Sequence, residues 1–486
     1  MQFVQSSIPV LLAMAVLLVA WRRFGLAIFL GSAPFGMLAA FNLPAVGGTT
    51  IIAIDLAVLA MLAVMLTLPR GLPMTLGVVA PGGPGVLLMA FLGLAAIATI
   101  FLPRVFAGDI EVFSIGRVAN QIGIVSRPLQ PGGGNLSQLL RMILSVFAFI
   151  ALAAYALRRP DPGPILQAVK VMTAVHVGLG LADILTNAAN VEWMMSIFRT
   201  ANYSLTLGQQ MAGLNRMIGG FPEASAYGYM SLGLFGFWMS YWTRTRSTGT
   251  GAGIWLAAST FVLLRGTSSS AYVGAVLFMS VFVAVRLARM HGGSLRPRTI
   301  VIVMSVLALL PLGAMVAFTL YQLVPAVTEF VDRSLLDKLS TTSGVERMSW
   351  NVQAMGNFLD TNLMGAGLGS VRASQWLIAT LATTGLAGTA VFVWFLTRLF
   401  RLPHGHLPEA TADLVVSLKF GCLAFLARAL VTKATPNLEI AFFAFAGLAA
   451  GLCLAHAKLR ASVRTVAEVA SGIPAFRSAR PPRTSG

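Results

Sequence analysis

Apolar residues in this chain arrive in runs about 17 to 22 residues long, the length of helix that crosses a hydrocarbon layer about 30 Å thick. No water reaches the backbone inside such a layer, so each run must satisfy its own N–H and C=O groups and fold as a helix. A β-barrel would need short strands of alternating polarity, and these runs do not alternate. The expected fold class is therefore all-α, a polytopic transmembrane helix bundle. Composition agrees: 57% of the 486 residues are hydrophobic and 10% charged, where a soluble domain carries about 25% charged residues.

Basic residues orient such a bundle, because Lys and Arg concentrate in the cytoplasmic connections. Runs near 6–21, 24–42, 49–68, 86–102, 137–157, 165–186, 223–242, 252–265, 270–287, 299–322, 373–397, 412–431 and 437–456 read as spans. Every second connection is then basic: Arg22/Arg23, Arg70, Arg158/Arg159, Arg244/Arg246, Arg286 to Arg298, and Arg398/Arg401. The alternation gives roughly 13 spans, the N-terminus outside and the C-terminus inside. The first run has no basic stretch before it, so it reads as a span rather than a cleavable signal. The net charge of +18 is explained by this orientation, and nucleic-acid binding is not expected. Cys422 and Cys453 fall inside spans and read as small apolar residues, neither a disulfide framework nor a metal cluster.

One transmembrane domain, 1–456, is expected, followed by a basic tail, 457–486, that begins as an amphipathic helix and ends in a disordered PPRTSG. The stretch 71–85 is too short and too broken by Pro and Gly for a span and reads as a re-entrant or interfacial piece. Three connections on the outer side are long: about 103–136, 187–222 and 323–372. The last is the largest, with one or two short amphipathic helices expected over 331–358, and ordered loops of that size are usually functional.

The chain has no GxxxxGK[ST] and no HExxH, so neither an ATP-driven pump nor a zinc protease is expected. His291, His404, His406 and His456 fall on the cytoplasmic side and His176 within a span, so no loop histidine serves as an outer base. The outer side instead holds arginine: Arg216 before a span, Arg265 and Arg428 at span ends, and Arg347 in the large loop. A charge at membrane depth costs at least about 2.5–3.5 kcal/mol on insertion scales, so such residues pair or serve a site. Guanidinium is always charged, weakly hydrated and able to fork two bonds to phosphate oxygens, which suits a lipid pyrophosphate. Glu223 is then within reach as a base or a sugar-hydroxyl acceptor. For each arginine the competing reading is snorkelling to headgroups or pairing with a loop carboxylate. Asp55 and Asp183 read as polar glue between helices, and Gly447-Leu-Ala-Ala-Gly451 as close helix packing.

Three segments resemble the bacterial polysaccharide polymerase and O-antigen ligase superfamily, the Wzy-type integral membrane glycosyltransferases. RMIGGFPEASAYGYMSLGLF (216–235) resembles the family's Arg…Gly-x-Phe-x-Glu-x-Ser segment, which opens a span after an outer loop. LLRGTSSSAYVGAVL (263–277) resembles its Ser/Thr-rich turn, and ERMSWNVQAMGNFLDTNLMGAGLGSV (346–371) its large-loop pattern ending in Gly-x-Gly-x-Gly. The resemblance covers about residues 200–400. It implies an enzyme without metal or nucleotide cofactor that transfers glycan from undecaprenyl pyrophosphate to a sugar hydroxyl on the outer face of the bacterial inner membrane. By position it makes Arg216 and Glu223 catalytic. Arg265, Arg347, Ser225 and Trp350 become binding residues for the pyrophosphate and glycan, and Arg428, outside the matched stretch, joins them as an arginine at an outer span end. A flippase and a chain-length regulator become the candidate protein partners.

Ligases of the superfamily open the helix after the large loop with a His-Asn pair, where this chain has Arg372-Ala-Ser374-Gln375-Trp376. That departure points to a polymerase of O-antigen, exopolysaccharide or capsule. A ligase-type transferase and a transporter or flippase of the lipid-linked oligosaccharide are the alternatives.

Overall fold

The computed structural model describes residues 2–43, 49–118, 121–202, 205, 210–211, 214–246, 248–288, 297–325, 328 and 342–470. Helices make up most of it. The chain opens with β1 (Gln2–Phe3), α1 (Ser7–Val19), a π-helical turn at Trp21–Gly25, and α2 (Leu26–Ser32). Strands β2 (Ala39–Leu43) and β3 (Thr49–Ile52) form an antiparallel sheet with β1, in the register Phe3↔Phe41 and Asn42↔Thr50. Then come α3 (Ala53–Thr67), α4 (Gly71–Val78), α5 (Pro84–Val105), the hairpin of β4 (Glu111–Val118) and β5 (Gln121–Pro128), α6 (Gly133–Arg158) and α7 (Pro162–Ala188). After a 3-10 turn at Glu192–Phe198 and the short pair β6 (Gln210–Met211) and β7 (Leu214–Asn215), the chain enters α8 (Ala224–Arg244). Helices α9 (Ala252–Arg265), α10 (Ser269–Ala288), α11 (Pro297–Leu323), α12 (Thr342–Asp360), α13 (Trp376–Phe400), α14 (Glu409–Val431) and α15 (Glu439–Ala470) complete the described chain.

Among the described residues, seven helices are long and apolar enough to cross a membrane: α5, α6, α7, α10, α13, α14 and α15 over Glu439–Ser462. This is the build of an α-helical membrane protein. The count rises to nine if two sharply bent pairs each serve as one span: α1 with Trp21–Ser32, bent by 113°, and α3 with α4, bent by 120°. The reading of about 13 spans is therefore corrected downward. The run at 24–42 leaves the helix after Ser32 and ends in a strand, and that at 49–68 begins as one. Helix α9 has 14 residues, too few for a layer that needs about 20. Helix α8 carries Tyr227, Tyr229, Tyr241 and several serines that dilute its apolar character. Stretch 71–85 is largely α4, folded back against α3. Hairpin β4–β5 occupies the connection read as an irregular loop at 103–136.

Helices α6, α14 and α15 lie mostly buried, whereas α5 and α10 turn most of their surface outward. Helix α15 packs along α6, α14 along α8, and α5 along α13. The α15–α6 approach is backbone-close: a Cβ added at Gly447 would collide with the Phe149 carbonyl, and one at Gly451 with that of Ala153. The Gly447–Gly451 motif therefore acts in helix packing, as small residues do in membranes. Cys422 and Cys453 are free and buried.

Of the large connection read at 323–372, residues 326–327 and 329–341 lie outside the described residues. Among the described residues, its amphipathic part is helix α12; the part of that reading at 331–341 lies outside them. The tail stretch 457–470 continues α15 without a break, and 471–486 lies outside the described residues.

Candidate anion site at one end of the bundle

Helix α8 begins where the chain leaves a loop locked from α7. The Asp183 carboxylate accepts the backbone N–H of Ile218 at 2.8 Å and of Gly219 at 3.0 Å, and pairs with the Arg199 guanidinium. Arg199 in turn donates to the Gly219 carbonyl at 2.9 and 2.7 Å. Asn215 donates to the Asn187 side chain, while its carbonyl accepts from Arg265 at 3.1 Å. Asp183 is thus the glue that its sequence position suggested, and what it holds is the backbone between Arg216 and Glu223.

Glu223 is the N-cap of α8, exposed at the mouth of the loop, and its carboxylate accepts the Ser225 hydroxyl. Arg216, at the other end of the locked loop, is acted on by Glu223, Arg347 and Tyr272. Tyr272, on the first turn of α10, lies between Arg216 and Arg265. Arg428, one turn before the end of α14, is 2% exposed. It donates to the carbonyls of Thr432 and, at 3.4 Å, of Ser225, and both Glu223 and Arg347 act on it.

The far wall comes from α12 and the entry to α13. The Asn351 side chain accepts the backbone N–H of Ser374 at 2.8 Å and of Gln375 at 3.2 Å, which ties the middle of α12 to the start of α13. Beside this tie the Arg372 guanidinium lies over the Trp350 ring, 4.3 Å from its centroid. Glu346 and Glu223 both act on Arg372. From the third side the Lys433 N–H reaches the Ser374 carbonyl at 2.8 Å, and the Lys433 ammonium is taken up by Glu439.

All seven residues singled out in the sequence therefore lie at one end of the bundle. Ser225 is hydrogen-bonded to Glu223 and, through its carbonyl, to Arg428; Glu223 and Arg347 act electrostatically on Arg216 and Arg428, Arg265 and Arg216 both act on Tyr272, and Trp350 joins through Arg372. Among the described residues, four guanidiniums (Arg216, Arg347, Arg372, Arg428) share this field with two carboxylates (Glu223, Glu346), an excess of two positive charges. Burial holds Arg216 below the ordinary arginine value, with Glu223 opposing that shift and Arg347 adding to it. Arg372 is lowered by burial as well, against the opposing pull of Glu346 and Glu223. In both, the cost of burying the charged form outweighs the attraction of the nearby carboxylates. No cluster of three or more His, Cys, Asp or Glu side chains fit to hold a metal occurs among the described residues.

Arg372 is the member that sequence reasoning left out of the site. The signal was present: on the orientation read from the sequence, an arginine immediately before a span at the outer side breaks the positive-inside pattern, as Arg265 and Arg428 do. It was read only as a departure from the ligase pattern.

No known protein family matches this chain, and neither does any curated protein.

Proposed function

We propose that this protein is a polysaccharide polymerase of the bacterial inner membrane. It transfers glycan repeat units from a lipid pyrophosphate onto a sugar hydroxyl at the periplasmic face, where its N-terminus lies, with its C-terminus in the cytoplasm. The observation that supports this reading best is the electrostatic grouping of Arg216, Arg347, Arg372 and Arg428 with the exposed carboxylate of Glu223 at the loop-bearing end of an apolar bundle. A diphosphate leaving group needs positive charge where its own negative charge develops, and a lipid-anchored one needs that charge at the membrane surface. In the proposed reaction the acceptor hydroxyl oxygen bonds to the anomeric carbon and the carbon–oxygen bond to the diphosphate breaks. The bonding pair leaves with the diphosphate, onto Arg216, Arg347 and Arg428, and the hydroxyl proton passes to Glu223.

A transporter would present broken helices with backbone groups open to cargo. Helix α13 is broken at Gly385. The carbonyls of Ala382 and Thr383 are nonetheless taken by the backbone N–H groups of Ala366 at 2.8 Å and Gly367 at 3.0 Å, so those carbonyls are engaged within the chain. That argues for transfer chemistry over transport.

The test is a deletion strain complemented with the wild type, Arg216→Ala or Glu223→Ala, with expression matched by membrane blotting. Loss of long chains, with single repeats still exported on lipid, is the expected result for the deletion and both variants. Repeats retained on the cytoplasmic leaflet would establish transport instead. Full-length chains that form but are not attached to their acceptor would establish a ligase.

A further inference from the structure

Arg372 has a neighbourhood unlike that of any other arginine at this end of the bundle. Among the described residues its one close partner is an aromatic face, Trp350 at 4.3 Å; it has no hydrogen bond or ion pair there, and its Nε is buried without a partner. The backbone that follows it is fixed. Asn351 holds the N–H groups of Ser374 and Gln375, and Lys433 holds the carbonyl of Ser374. A guanidinium held over a ring face by its π-system leaves its N–H donors available to fork to two phosphate oxygens. The ring under it also removes much of the freedom that a long side chain otherwise loses on binding. Two carboxylates lie within electrostatic range, Glu223 and Glu346, and neither is hydrogen-bonded to it.

We propose that Arg372, placed over the Trp350 ring, binds the diphosphate at this site. The proposal rests on the functional reading above for the nature of the ligand, and it adds a residue and a platform to it. Trp350 is then a positioning residue: it touches Arg372 and sets the plane in which the guanidinium meets phosphate. The competing role for the pair is a staple that fastens α12 to α13, and it predicts a change in stability with no change in affinity.

The experiment uses the full chain in phosphatidylcholine nanodiscs, titrated with inorganic pyrophosphate and, separately, inorganic phosphate by calorimetry, with thermal unfolding followed in parallel. Arg372→Ala is expected to weaken pyrophosphate binding about tenfold or more, the loss of one charge-assisted contact, at an unchanged unfolding temperature. Arg372→Lys, which keeps the charge but not the fork, should recover only part of the affinity, and Trp350→Leu should cost several-fold by freeing the guanidinium. Should Arg372→Ala not fold, the Arg372→Lys and Trp350→Leu comparison carries the test. Arg460→Ala, at the other end of the bundle, serves as the control. Wild-type affinity in Arg372→Ala would overturn the assignment, as would a fall in unfolding temperature without a fall in affinity. If the wild type binds no pyrophosphate, the anion site itself is overturned and the assignment with it. If binding is lost in Arg372→Ala but the wild type extends no glycan, the assignment stands and the polymerase reading falls.

Discussion

Arg428 shows what a charged side chain does at this depth. It is 2% exposed, yet its hydrogen bonds among the described residues run to two backbone carbonyls rather than to a carboxylate. Removing it therefore strands no hydrogen-bonded carboxylate, and replacing a buried charge by an apolar group of similar volume is often neutral or stabilising. Arg428→Met is predicted to unfold at the wild-type temperature or above it. Its polymer output is predicted to fall by about 10² to 10³, the usual cost of removing one group that meets developing charge. Calorimetry and a chain-length assay on the same preparation check both halves; a marked loss of stability would make Arg428 structural. Asp183 makes the opposite case. Asp183→Asn leaves Arg199, whose side chain is 5% exposed, without its counter-charge, and is predicted to destabilise the protein by about 3–5 kcal/mol. Chemical denaturation of the two proteins measures that difference. Arg216, Arg265, Arg347 and Arg428 were legible in the sequence because, on the orientation read there, each breaks the positive-inside pattern; Arg372 was not so read. The Asp183 lock was legible only as polar glue, since its partners Ile218 and Gly219 lie more than thirty residues away in the chain.

At the scale of elements, hydropathy registers an apolar run and is blind to a bend within it. The π-helical turn at Trp21–Gly25 makes one bent pair of two runs read as separate spans, and the fold-back at Arg70, which adopts φ 58°, turns the stretch read as re-entrant against α3. Inside α13, Gly385 adopts φ 67° and ψ −173°, a conformation open to glycine and strained for other residues. There the Leu386 N–H leaves the helix ladder for the Leu363 carbonyl at 2.9 Å. A Cβ at Gly385 would also collide with the carbonyls of Leu363 and Met364. Gly385→Ala is predicted to lower stability by at least about 1–3 kcal/mol, read as reduced yield and a lower unfolding temperature in detergent. An unchanged unfolding temperature would mean that α13 runs straight. The same loop places Arg372 and the α12 tie, so the break in α13 and one wall of the site are a single construction.

The molecule as a whole has two unlike ends. Opposite the site, basic side chains are spent on carbonyls and carboxylates: Arg158 on Pro69 at 2.9 Å, Arg298 on Trp242 and Thr245, Arg244 on Asp413 at 3.0 Å. At the site end, Arg216, Arg347, Arg372 and Arg428 share the field of Glu223 and Glu346. Under the proposed orientation the site end faces the periplasm. A cysteine at exposed Ser126 in the β4–β5 hairpin should then react with an impermeant maleimide in intact cells. One at exposed Arg246 should react only after permeabilisation, with buried Cys422 and Cys453 silent in both. The reverse pattern would put the site in the cytoplasm and remove the polymerase reading.

The most direct measurement is reconstitution. Purified full-length protein in nanodiscs would be given a lipid-pyrophosphate-linked repeat unit, without nucleotide, and the products resolved by length. The account predicts a ladder of extended glycans with one lipid pyrophosphate released per repeat added, and no ladder from Arg216→Ala or Glu223→Ala. Wild-type protein that binds the substrate but leaves it at single-repeat length would contradict the account.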